Sequence, residues 1–183
     1  MLWGAATGAL ELRATDGGVR ISGRFPYGVE TELAPGRSER IEARAFAERI
    51  EAEGQEIHFL SGHDYEKPLA SRGAGTLMLT DTGEAIQFEA TLSAATTWAR
   101  DFLEAHKAGL IRGLSPGFRV PAGGERIERS GTGTLRSITR AELFEISAVT
   151  RPAYPTAQIE ARSWDAGTVG ERNSAHPLKR WRL

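Results

Sequence analysis

The chain has 183 residues, 40% of them hydrophobic and 26% charged, which is the composition of one globular domain. Its 23 basic and 24 acidic residues give a net charge of −1, a balance that argues against a dedicated nucleic-acid or membrane-surface binder. It contains no cysteine and no apolar run near the roughly 20 residues of a membrane span, so thiolate chemistry and a transmembrane helix are both excluded.

The first ninety residues predict short strands, one loop and one short helix. Residues 1–18 show little hydrophobic periodicity, and we predict a flexible segment there and no secretory signal. Periodicity and glycine positions then predict a strand at 19–25, a loop at 27–40, a helix at 44–53, a strand at 56–60, and a hairpin of strands at 75–80 and 85–92. In the hairpin, Gly83 can adopt the positive φ that the turn requires.

The second half predicts one amphipathic helix followed by strands. Trp98, Phe102 and Ala105 lie on one face of a helix at 96–108, with a threonine cap before it and Gly109 after it. A strand at 110–120, an exposed loop at 121–133 and a long β segment at 135–149 follow, and residues 161–183 have no periodicity. We therefore predict a mainly β (α+β) domain at 19–160 with two helices and a loose tail at 161–183.

Ser115 has the surroundings of a nucleophile. The segment 113–118 reads GLSPGF, so glycines on both sides let another chain approach, and Pro116 keeps Ser115 extended. Because Pro116 has no N–H, an oxyanion would depend on the N–H of Gly117 or on Arg119. The alternative interpretation is a simple Ser-Pro-Gly turn.

His63 is the histidine best placed for general-base chemistry. It follows a predicted strand in the segment 61–64, SGHD, where it is reachable and beside a glycine. The alternative is a solvated loop histidine. His58, His106 and His176 look structural or solvated, and because the spacing of His58, His63 and Asp64 matches no known ligand pattern, we predict neither a metal nor a cofactor.

Glu145 is an acid within an apolar strand, 143–149, LFEISAV. Alternation places Phe144 on one face, and Leu143 and Glu145 with Ser147 on the other. Such a carboxylate usually marks a solvated face. The functional alternative is an acid that accepts from the Nδ1–H of a histidine and stabilises the imidazolium.

These segments together resemble a known protein family. In order and spacing, GHD at 62–64, GLSPGF at 113–118 and LFEISAVTRPAYP at 143–155 resemble the prohead (capsid maturation) serine proteases of tailed phages. The resemblance spans roughly 19–159, and the final motif is its most specific part. The sequence departs from the family pattern at two places. Arg44 stands where a glycine is common, and Arg24-Phe25 stands where the first conserved strand usually continues with Tyr-Ala.

The resemblance implies an antiparallel β-barrel-like core with flanking helices, related to the herpesvirus assemblins. By motif match, Ser115 would be the nucleophile of a catalytic triad, His63 its general base and Glu145 its third member. Assemblins use a second histidine at the third position, and no histidine lies near 145 in the sequence.

The resemblance also implies partners and a place of action. The family acts in the host cytoplasm inside the immature capsid, cuts the scaffold or delta segment from the major capsid protein, and then cuts itself. A homodimer is implied, with no direct nucleic-acid contact and no membrane. Two alternatives stay open: a catalytically inactive capsid-assembly or scaffold-binding module of the same fold, and an unrelated β-rich binding domain.

Overall fold

The computed structural model describes residues 10–15, 18–111, 113–130 and 133–150. The elements within these ranges are β1 (Leu10–Thr15), β2 (Gly18–Pro26), β3 (Glu30–Ala34), β4 (Arg37–Ile41), α1 (Ala47–Glu51), β5 (His58–Ser61), β6 (Asp64–Ser71), β7 (Leu77–Asp81), β8 (Ala85–Leu92), α2 (Thr97–Lys107), β9 (Gly113–Arg119), β10 (Glu125–Ser130), β11 (Gly133–Ile138) and β12 (Glu142–Val149). This mainly β content with two helices confirms the predicted fold class.

The strands form three four-stranded sheets. Their strand orders are β1-β2-β8-β7 in the first sheet, β10-β11-β4-β3 in the second and β6-β5-β12-β9 in the third. Most pairs are antiparallel, but β11 runs parallel to β4, and β12 runs parallel to β5. The described strands therefore depart from a purely antiparallel core, and the barrel-like closure stays a prediction. No helix in these ranges is long and apolar enough to cross a membrane.

The core lies where the first and third sheets meet α2. The ring of Phe59 in β5 is 5.0 Å from that of Phe88 in β8 and 6.0 Å from that of Phe102 in α2, measured between centroids. All three side chains are buried. Burying an aromatic side chain stabilises the fold by about 2–3 kcal/mol. Phe59 therefore anchors β5 just before the turn that carries His63.

Three strands of the second sheet, β3, β4 and β10, lie in two segments that were predicted as loops, and both loop predictions were wrong. Residues 27–40 contain β3 and most of β4, and residues 121–133 contain β10. The reason is that these three strands bury few apolar side chains. Arg136 and Glu39, only 3% and 7% exposed, form an ion pair of 2.8 Å across β11 and β4. In β4 a buried position is taken by the charged Glu39, and no described side chain of β3 or β10 is buried, so these strands lack the apolar alternation that predicts a strand.

Other elements agree more closely with the predictions from the sequence. The β7–β8 hairpin is confirmed, with φ of +81° at Gly83. Helix α2 is confirmed, and the Thr96 side chain accepts from the N–H of Ala99 as its cap. Six residues of the predicted flexible segment 1–18 form β1, paired along its length with β2. The predicted tail at 161–183 lies outside the described residues.

Candidate active site

The loop that carries His63 is a two-residue hairpin turn between β5 and β6. Ser61 pairs with Asp64, and the two residues between them have positive φ, +70° at Gly62 and +62° at His63. Two consecutive left-handed residues define a type I′ turn, whose twist matches the flanking strands. Left-handed backbone is uncommon for a residue with a side chain. The turn is therefore held by contacts outside itself.

Those contacts come from β12. The N–H of Gly62 donates to the carbonyl of Ala148 at 3.0 Å, and the N–H of His63 donates to Oγ of Ser147 at 3.0 Å. Since β5 and β12 are parallel neighbours in the third sheet, the turn at the end of β5 reaches directly over β12. This docking holds the His63 side chain beside the carboxylate of Glu145.

His63 and Glu145 form a close pair. Nδ1 of His63 lies 2.6 Å from Oε1 of Glu145, and Glu145 is only 3% exposed. The second carboxylate oxygen, Oε2, accepts from the hydroxyl of Ser147 at 2.5 Å. A buried carboxylate is costly unless it is hydrogen-bonded, and here both oxygens have donors. Because the carboxylate accepts, Nδ1 carries the hydrogen, and Nε2 is left to take a proton.

A β-bulge in β12 separates the face of Leu143 from that of Glu145. The register between β9 and β12 shifts between Leu143 and Glu145, a β-bulge that changes the alternation at this point. Leu143 is fully buried in the core. The prediction that Leu143 shares the face of Glu145 was therefore wrong, and so was the simpler interpretation of Glu145 as a solvated acid.

Gly117 provides the space for this carboxylate. It is the register partner of Glu145 across the β9–β12 pair. A Cβ added at Gly117 would lie 2.7 Å from the carboxyl carbon of Glu145 and 2.9 Å from its Cγ, closer than real contacts allow. A larger residue here would displace Glu145. The glycine after Pro116 is therefore explained by the close approach of the acid.

Ser115 lies on the same face of the sheet as this pair. It belongs to β9, opposite Ser147, and is half-buried, so it is not part of a turn as the alternative interpretation supposed. Directly opposed residues of antiparallel strands have Cα atoms about 4.5–5.5 Å apart and side chains on one face. Within the described residues no hydrogen bond joins Ser115 to His63. Such bonds are often long without substrate and tighten when it binds.

The structure does not bring Arg119 to Ser115. Arg119 lies four positions after Ser115 in the strand, which separates their Cα atoms by about 13 Å at the usual rise. The guanidinium of Arg119 is paired with Glu142 at 2.6 Å. Of the two residues suggested for an oxyanion, Gly117 is the one that lies near Ser115 in the strand.

The other histidines have separate surroundings. His58 is the register partner of Glu145 on β5, and its buried Nδ1 has no hydrogen-bond partner among the described residues. Its ring packs edge-on against Tyr65, 5.6 Å between centroids. His106 stacks on Phe102 in α2. His176 lies outside the described ranges, and within them no three acidic or histidine side chains are grouped so as to hold a metal ion.

Two polar residues beside the site were not singled out from the sequence. Ser147, fully buried, contacts both the acid and the histidine turn, and its position two residues after Glu145 was the available signal. Tyr65 is 58% exposed beside His58. Partial burial, and then the negative charge of Glu145, raise the pKa of the Tyr65 phenol above its usual value. Of these two residues, Ser147 is the one that hydrogen-bonds both to Glu145 and to the backbone of His63.

A histidine held by a buried carboxylate, on the same sheet face as a serine, is the set of groups that serine hydrolases use. A family model described as caudovirus prohead serine protease matches residues 8–170. The match covers most of the chain, and the chain belongs to that family. Searches of curated proteins and of solved structures found no match.

Proposed function

We propose that this chain is a serine endopeptidase that cuts the scaffold or delta segment from the major capsid protein during prohead maturation, and that it also cuts itself. Membership of the prohead serine protease family supports a capsid-protein substrate and action inside the prohead. The observation that carries the proposal is the 2.6 Å pair of His63 and Glu145 on the sheet face that also holds Ser115.

In the proposed mechanism Ser115 is the nucleophile. Its Oγ bonds to the carbonyl carbon of the scissile peptide while Nε2 of His63 takes the hydroxyl proton. The C–N bond then breaks, His63 returns the proton to the leaving amine, and an acyl-enzyme remains. A water molecule attacks the ester as His63 accepts its proton, and Ser115 leaves with that proton restored. Glu145 stabilises the imidazolium in both stages.

The oxyanion needs a donor near Ser115. Pro116 offers none, and Gly117 carries the first backbone N–H after the nucleophile. We place Gly117 ahead of Arg119 in this role, because the guanidinium of Arg119 is already paired with Glu142.

The position of β9 suits an extended substrate. In the described part of the chain β9 pairs with β12 alone, at the end of the third sheet. An unpaired strand edge can hydrogen-bond an added extended peptide, which is a recurring mode of peptide recognition. A peptide lying along this edge would pass Ser115. A flexible scaffold or delta segment meets that requirement better than a folded surface.

An inactive scaffold-binding module of the same fold is the second candidate. Such a module would not require a buried acid hydrogen-bonded to a histidine. Burying the acid costs free energy of desolvation, and the pair serves catalysis directly. We therefore favour the protease. The homodimer implied by the resemblance stays a prediction, which sedimentation of the purified chain would measure.

Co-expression with the major capsid protein of the same genome tests this function. We expect a shortened capsid protein, seen by intact mass, with the parent chain and with Ser22→Ala, and the full-length capsid protein with Ser115→Ala. Ser22 is a matched control, a half-buried strand serine in β2. Equal cutting by Ser115→Ala would contradict the assigned nucleophile. An uncut capsid protein bound by the folded parent chain would favour the inactive module.

A further inference from the structure

We propose that Ser147 is a positioning residue, whose hydroxyl holds the acid and the histidine turn in one arrangement. This inference rests on the proposed protease function and adds a fourth residue to its machinery. Ser147 does not touch the substrate in this account. It acts through Glu145 and His63, and its side chain is completely buried between them.

The direction of each hydrogen bond follows from chemistry. A backbone N–H can only donate, so at the 3.0 Å contact with His63 the Ser147 oxygen is the acceptor. Its own hydrogen is thereby available for Oε2 of Glu145, 2.5 Å away, where a carboxylate can only accept. Among the described residues no other donor reaches Oε2. One hydroxyl therefore satisfies both partners at once.

This double contact fixes the two halves of the pair to each other. Glu145 lies on β12, whereas His63 lies in the β5–β6 turn. The contact with the imidazole alone would leave the carboxylate free to rotate about the Cγ–Cδ bond of Glu145. With Oε2 held by Ser147, the plane of the carboxylate is set, and so is the direction from which Oε1 meets Nδ1. The backbone of His63 is held by the same oxygen. The direction in which Nε2 points depends on both constraints.

Removing the hydroxyl leaves the turn docked but loosens this arrangement. The bond from the N–H of Gly62 to Ala148 does not involve Ser147 and would persist. Only the N–H of His63 and Oε2 of Glu145 would lose their partner. Displacement of a catalytic group by about 1 Å can cost about 100-fold in rate. Ser147→Ala should therefore lower kcat by about 10- to 100-fold, with KM little changed.

The test compares Ser147→Ala with Ser147→Thr, which keeps the hydroxyl, and with Ser137→Ala as a matched control. Ser137 is a buried serine of β11, and its hydroxyl accepts from Arg40 at 3.3 Å in the second sheet. We expect Ser147→Thr to recover most of the lost kcat on a peptide from the capsid protein, and Ser137→Ala to keep the parent value. Each variant is assayed below its own melting temperature.

A second readout does not depend on proteolysis. Amide hydrogen exchange is followed by NMR at Gly62 and His63 in the Ser115→Ala background, which prevents self-cutting. Adding Ser147→Ala should speed exchange at His63 and leave Gly62 protected, and Ser147→Thr should restore the protection of His63.

The proposal is overturned if Ser147→Ala cleaves as fast as Ser137→Ala, if Ser147→Thr is as slow as Ser147→Ala, or if both amides lose protection together. A parent chain that cuts no peptide, with His63 protected only when the hydroxyl is present, would instead reject the protease function and uphold the positioning contact.

Discussion

Replacing His63 with asparagine should lower kcat by about 10⁵-fold or more while leaving the fold intact. The imidazole is the only proton acceptor assigned to Ser115, so its loss removes both the base and the later acid. Asparagine is the suitable replacement because His63 has φ of +62°, a conformation that asparagine adopts with little strain and alanine does not.

The measurement is kcat on a capsid-derived peptide, with the melting temperature as the check on folding. Arg44→Asn is the matched control, since Arg44 is the other residue besides glycine with positive φ, +63°, in the described ranges. Its guanidinium pairs with Glu51 on the exposed surface. We expect the control to keep parental activity. A His63→Asn variant within about tenfold of the parent would exclude His63 as the base.

Replacing Glu145 with glutamine should lower kcat by about 10⁴-fold, because the amide imposes the wrong tautomer on His63. Ser147 donates its hydrogen to Oε2, and that contact favours the amide oxygen on the Ser147 side. The amide nitrogen would then face Nδ1 and donate to it. The ring hydrogen would move to Nε2, which could no longer accept a proton from Ser115.

Kinetics of single and double variants test this explanation. Glu142→Gln is the control: it lies on the same strand, is paired at the surface with Arg119, and should change kcat little. Adding Glu145→Gln to Ser115→Ala should lower the residual rate no further, since residues that act as a unit are not additive. A full 10⁴-fold loss on top of Ser115→Ala would mean that Glu145 acts independently of the nucleophile.

The sequence predicted those parts of the fold in which apolar periodicity is visible. The β7–β8 hairpin and α2 carry alternating or helical apolar patterns with glycine or threonine at their ends. β3, β4 and β10 of the second sheet have little such signal, because Glu39 takes a buried position of β4 and no described side chain of β3 or β10 is buried. Hydrophobic periodicity cannot detect strands that bury so few apolar side chains.

The candidate residues could be named from the sequence, but their arrangement could not. His63 reaches Glu145 through a type I′ turn that contains a left-handed histidine, and a bulge after Leu143 moves Leu143 into the core, off the face that Glu145 shares with Ser147. Neither feature follows from strict alternation. Ser147 was placed on the face of Glu145, but its contacts depend on how the turn docks on β12. The parallel pairing of β5 with β12 decides that docking, and local sequence does not specify it.

The most direct test of the central claim is to locate a covalent adduct. A fluorophosphonate reacts when an activated serine oxygen displaces fluoride at phosphorus, and the adduct adds a known mass to one peptide. We predict an adduct on Ser115 in the parent chain, formed far more slowly in His63→Asn and Glu145→Gln. An adduct on another serine, or equal rates of labelling at Ser115 in the parent and in His63→Asn, would contradict the account.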